Sequence, residues 1–239
     1  MSTTISTTNP ARSDVTAGPT TRPAGTRSRA WALAGVGAAL SSIAGTVAAG
    51  FVHGVYAEDT RGDDVAILDS LGGDVTAMTV FHVGISLAAV LLVVFAAGLA
   101  RRLREALPYD SLGPVVAGAG VLATAVVWVM AGALDTEFIF GATAPEALVP
   151  ATAAFYGHWV GTVPGCTMLV GLGGLGVFAA HRRGGAPRWL GLTGLLLGGL
   201  TVLLGISPVQ YMAGATSALW LLVTACGFIF GDRAHRRTA

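Results

Sequence analysis

Residues Ala151–Ala180 form a run of thirty without a formal charge. About 20 apolar residues span the core of a bilayer, so a helix this long must tilt, bend or extend past the headgroups. Pro164 predicts the bend, because it lacks an N–H and leaves the Val160 carbonyl without its helical donor. Gly157, Gly161 and Gly165 recur at four-residue steps, and Gly173 continues the line. Such a small-residue face lets another helix approach closely. The run thus predicts a central membrane helix, packed on several sides by protein. His158 lies about 100° round from the glycine line. It reads either as a functional imidazole or as a packing histidine bonded to a neighbouring carbonyl.

The rest of the chain has the same character. It is 53% hydrophobic and 11% charged, against roughly 25% charged residues in soluble domains. It has no lysine, and its net charge is +1, which offers nothing to a nucleic acid. Cys166 and Cys226 both fall in apolar runs and read as small packing residues. No CxxC or Cys/His spacing predicts a metal site.

Six spans follow, at about 30–52, 75–100, 112–134, 151–180, 189–206 and 208–230. The fold class is therefore all-α, a polytopic integral membrane protein with six transmembrane helices. Residues 1–28, rich in Ser, Thr, Pro and Arg, predict a disordered tail. Residues 29–233 form the membrane domain and 234–239 a second tail. With both termini cytoplasmic, thirteen of the fourteen arginines lie inside and only Arg61 outside. Basic residues set orientation, so the chain is expected in the cell membrane as a multi-pass protein, its partner the lipid bilayer. Its oligomeric state is not encoded in any recognisable pattern.

Local signals refine the ends. Asp64–Leu68 predicts a short amphipathic helix closed by Gly72-Gly73. Asp74 predicts the N-cap of the second span. Thr143-Ala144-Pro145-Glu146 has a capping-box pattern, as does Ser207-Pro208-Val209-Gln210.

Polar residues gather at one level. His82 and His158 lie roughly 10 Å below the outer surface at 1.5 Å per residue. Asp135 and Glu137 follow the third span, His53 the first, and Gln210 and Tyr211 open the sixth. Ionisable groups within membranes are costly and mark function. Asp135 follows Trp128 and Gly132 along one face, whereas Glu137 points about 200° away from it. The candidate catalytic residues are Asp135, Glu137, His158 and His82. Trp128, Tyr156, Trp159, Tyr211, Gln210 and His53 are the candidate binding residues. Tyr156, Trp159 and Tyr211 singly fit an interfacial belt better than a pocket, and Asp135 and Glu137 have an alternative as solvated loop acids.

Three functions fit these residues. An outward-facing pocket of histidines, carboxylates and aromatics would perform acid–base chemistry on an apolar or isoprenoid-like small molecule. A non-catalytic sensor or assembly subunit would use the polar layer to lock its helices together. Haem or metal ligation by His82 and His158 is the third. No cofactor is specified by any motif.

Three segments also carry a resemblance. Leu134-Asp135-Thr136-Glu137-Phe138, Tyr156-Gly157-His158-Trp159 and Gln210-Tyr211-Met212-Ala213-Gly214 look like segments of a group of uncharacterised actinobacterial multi-span membrane proteins. The likeness covers roughly residues 30–233 and implies no activity. In size and helix count the chain is also similar to small membrane-embedded terpene cyclases, which use acidic residues. None of their motifs is present, and six spans stand where they have seven.

Overall fold

The computed structural model describes residues 29–144, 146 and 148–231. Six helical stretches are long and apolar enough to cross a membrane: Ala30–Ala49, Asp64–Arg104, Gly113–Thr143, Pro150–Arg182, Arg188–Ile206 and Gln210–Phe230. The first three are the regular helices α1, α2 and α3. The fourth is α4 (Pro150–Thr162) and α5 (Gly171–Arg182), joined through two 3₁₀ turns. The fifth is α6 (Arg188–Thr193) and α7 (Gly199–Ile206), with residues Gly194–Gly198 wound in the wider π form between them. The sixth is a 3₁₀ turn leading into α8 (Ala213–Phe230). The tails expected over 1–28 and 234–239 lie outside the described residues.

The element that organises the bundle is α2, not the 151–180 run. It packs along α1 and α3 over long faces and also touches α4 and α5. Its 41 residues span about 60 Å, twice a bilayer core. The expected break at Gly72-Gly73 does not occur. Asp63, rather than Asp74, is the N-cap, and its Oδ1 accepts from the backbone N–H groups of Val65 and Ala66 at 3.0 Å. Two helical glycines cost about 1 kcal/mol each. Burial of Ile67, Leu68 and Leu71 offsets that cost, so the amphipathic turn and the span become one rod.

The third helix likewise runs beyond its apolar stretch. Asp135 and Glu137 lie within α3, and Thr143 ends it instead of capping a new helix. The Thr143 hydroxyl donates back to the Phe140 carbonyl at 2.7 Å. Burial of Phe138 and Ala142 explains the continuation. Pro145 of the expected capping box lies outside the described residues.

At Pro164 the single bend expected is a longer interruption. The α form stops at Thr162 and resumes at Gly171. This broken segment meets the start of the sixth span backbone to backbone. A Cβ placed at Gly214 would lie 2.6 Å from the Pro164 carbonyl oxygen, and one at Gly165 would lie 2.8 Å from Tyr211 Cα. Ser207 Oγ accepts from the Val209 N–H at 3.3 Å, but the α helix itself begins only at Ala213.

Glycine contacts set the other close crossings. A Cβ at Gly84 of α2 would lie 2.8 Å from Gly45 Cα of α1. One at Gly174 of α5 would lie 2.6 Å from the Gly194 carbonyl oxygen and 2.8 Å from Gly198 Cα. The glycine line of the fourth span is used differently from its expected role. Gly157 and Gly161 are covered by Val55 and Tyr56 of the α1–α2 connection, not by a helix.

The two ends of the bundle differ. The end where α2 begins carries acids, and the end where α2 finishes carries Arg101, Arg102 and Arg104 in the last turn, where cations complement the helix dipole. Arg102 is buried, donates to the Gly185 carbonyl at 2.6 Å and stands 5.8 Å from the Phe228 ring centroid. Arg29 similarly donates to the Ile229 carbonyl. These contacts tie α1, α2 and α8 together at the arginine end.

Candidate functional site

Three helices bring polar side chains to one buried point near the acid end. On α3, the buried positions Trp128, Gly132, Asp135 and Phe138 follow one another at three- and four-residue steps, so they share a face. On α4 the inward residues are Ala153, Tyr156, Gly157 and Val160. On α2, His82 stands one turn from Ser86. Gly132 makes the crossing of α2 and α3 possible. A Cβ there would sit 2.7 Å from Ser86 Oγ and 3.8 Å from His82 Nδ1.

Asp135 is at the centre and is wholly inaccessible to solvent. Its Oδ1 accepts a hydrogen bond from the Tyr156 hydroxyl. The Tyr156 ring, also fully buried, stacks on Phe138 with centroids 4.5 Å apart. Asp135 Oδ2 faces His82 Nδ1 at 3.3 Å. Both of these atoms are buried, and neither makes a hydrogen bond in this arrangement. The His82 side chain is 30% exposed, so it links the buried carboxylate to the surface of the bundle.

A phenol, a carboxylate and an imidazole in this order can hold and move one proton. Tyr156 supplies a fixed donor to one oxygen. The other oxygen and the imidazole nitrogen form a facing pair 3.3 Å apart. A buried polar atom without a partner is costly. A proton carried on either atom completes the missing bond.

The remaining sequence candidates lie apart from this point. Glu137 is exposed, as its angular position on α3 requires. His158 is exposed, with Nδ1 3.5 Å from the Tyr56 hydroxyl and its ring edge-on to Tyr56. Since His82 faces Asp135 and His158 faces Tyr56, the two imidazoles have different partners. Among the described residues, no three His, Cys, Asp or Glu side chains are grouped to hold a metal ion. Gln210 and Tyr211 are exposed, and it is their backbone that packs against Gly165. Trp159 is half-buried and stacks on Phe155 at 6.4 Å. Trp128 is buried two turns along α3 from Asp135, and its indole N–H has no partner.

His53 belongs to a second carboxylate–imidazole pair. Its backbone N–H donates to Asp74 Oδ2 at 2.7 Å, and its Nδ1 stands 2.8 Å from Asp74 Oδ1. The hydrogen bond to Asp74 and the carboxylate's charge raise the His53 pKa above its ordinary 6.5. Burial opposes this, and Asp59 adds in the raising sense. Sequence reasoning missed Asp74 as a partner because an acid at the start of an apolar run already had an explanation as a helix cap. Asp74 also lines a 630 Å³ groove between α1 and α2. Comparison of the chain with family models, curated proteins and solved structures found no match.

Proposed function

We propose that the chain is a multi-pass protein of the cell membrane with both termini cytoplasmic, and that it responds to protons through Asp135. The orientation is supported by the arginines, which all fall on the cytoplasmic side except Arg61. The acid end then faces outward, and His82 connects the outer half of the bundle to Asp135. The observation that carries this reading is the fully buried carboxylate with one oxygen on Tyr156 and the other facing an imidazole that reaches the surface. Uptake of a proton by Asp135 or His82 changes the charge of the facing Oδ2–Nδ1 pair between α2 and α3. The packing of three helices thereby depends on the outer pH.

This is the sensor class of function. Acid–base catalysis on an apolar molecule is less well supported, because a general acid must touch the atom it protonates and Asp135 has no exposed surface. The test is infrared difference spectroscopy on protein in lipid nanodiscs, stepped between about pH 5 and pH 8. The expected result is a carboxylic-acid band that appears with acid and is absent in Asp135→Asn, accompanied by a shift in tryptophan emission that Trp128→Phe removes. A carboxylate that never changes protonation across that range overturns the proposal. Turnover of an added isoprenoid that is lost in Asp135→Asn would instead establish the catalytic alternative.

A further inference from the structure

The groove between α1 and α2 is a separate site from the Asp135 cluster. Its walls are Ala44, Val47 and Phe51 on one side and Ala77 and Val80 on the other, with Asp74 at one end. Val47, Phe51 and Val80 are 57%, 65% and 45% exposed, so the apolar walls lie open at the side of the bundle. A volume of 630 Å³ falls within the range of small-molecule sites, about 300–1,000 Å³. The groove is therefore large enough for an alkyl chain or a ring system.

The polar end decides what that molecule is. Asp74 is 7% exposed and faces a groove whose only other polar lining side chain is Thr76. Each Asp74 oxygen is engaged once, one by the His53 N–H and one by Nδ1. A carboxylate oxygen has two lone pairs, so each retains an acceptor position. The surrounding segment 54–74 holds six acids against Arg61, and Asp59 is close enough to act on His53. A phosphate or sulfate head is repelled by the Asp74 carboxylate, and a neutral hydroxyl head gains one hydrogen bond without the ionic attraction. With His53 neutral, an ammonium head donates to the free lone pairs of Asp74, and Asp59 near His53 adds to the negative field.

We propose that the α1–α2 groove binds a cationic amphiphile, with its ammonium head on Asp74 and its apolar chain between Val47 and Val80. The proposal draws its residues from α1, α2 and their connection, and its readout is amphiphile binding rather than protonation of Asp135.

The test is calorimetric titration of dodecylammonium into the full chain in phosphatidylcholine nanodiscs, with empty nanodiscs subtracted. Dodecyl phosphate and dodecanol serve as anionic and neutral probes of the same chain length. Saturable one-site binding of dodecylammonium is expected, with little or none for the other two. Asp74→Asn keeps the shape and removes the charge, and is expected to weaken binding by about tenfold or more. Ala77→Trp leaves the carboxylate in place and fills the groove, and is expected to abolish binding. Equal binding of all three probes means partition into lipid alone and overturns the proposal. So does unchanged dodecylammonium binding in both variants.

Discussion

In the Asp74–His53 pair the imidazole is 66% exposed and the two side chains meet at 2.8 Å; in the Asp135–His82 pair the imidazole is 30% exposed, the carboxylate is not exposed at all, and the separation is 3.3 Å. The residue types are the same, and both carboxylates sit on long helices near the acid end. Their surroundings differ in what supplies the second donor. Asp74 takes it from the His53 backbone, a local arrangement that ties the α1–α2 connection down onto α2. Asp135 takes it from Tyr156 of another helix. The first pair reaches solvent through the His53 imidazole, whereas the carboxylate of the second has no exposed surface. The same residue types therefore sit at the bundle surface through an exposed imidazole in one place and wholly inside it, at the carboxylate, in the other.

The sharpest way to break this contrast is Asp135→Ala. It leaves the Tyr156 hydroxyl buried without its acceptor and opens a cavity between α2, α3 and α4, and is expected to cost about 3 kcal/mol by reversible unfolding in bicelles. A loss below about 1 kcal/mol would show that water reaches this point, and the distinction between the pairs would disappear. Tyr156→Phe is milder. The ring still stacks on Phe138, one donor is lost, and the expected cost is about 1–2 kcal/mol.

Asp74→Ala tests the exposed pair. Solvent screens it, so the expected cost is under about 1 kcal/mol. The more telling readout is faster hydrogen exchange of the His53 amide, while exchange in α3 and α4 is unaltered. The smallest effect is one of pH. The folded-state pKa of His53 is raised above 6.5, so its contribution to stability is complete below that value and is lost as pH climbs through the raised one. The stability difference between the parent and His53→Ala is therefore larger at about pH 6 than at about pH 9. The opposite slope would mean that Asp74 does not hold the imidazolium.

The sequence marked Asp135 correctly as a residue on an inward face, because Trp128, Gly132 and Asp135 share a helical stripe whatever the neighbours are. It did not reveal Tyr156 as the partner. An aromatic near the start of an apolar run fits an interfacial belt as well as a core. The same difficulty misplaced His158. It lies at the right depth, but two residues from Tyr156 is about 200° of rotation. With Tyr156 turned inward, His158 has to face outward. Helix ends were misjudged for a related reason. Asp74, Asp135 and Glu137 mark where apolar composition stops, and α2 and α3 continue past them because Leu71, Phe138 and Ala142 still find something to bury against.

What this sequence determined alone is a set of six apolar stretches with arginine gathered between alternate pairs, since hydropathy and charge are properties of each segment taken singly. Which side chains meet is not such a property. The approach of Asp135, Tyr156 and His82 depends on the rotation and depth of three helices relative to one another, and the groove at Asp74 on how closely Gly45 and Gly84 let α1 and α2 cross. Only packing in three dimensions sets those quantities, because each is fixed by contacts between residues far apart in the chain.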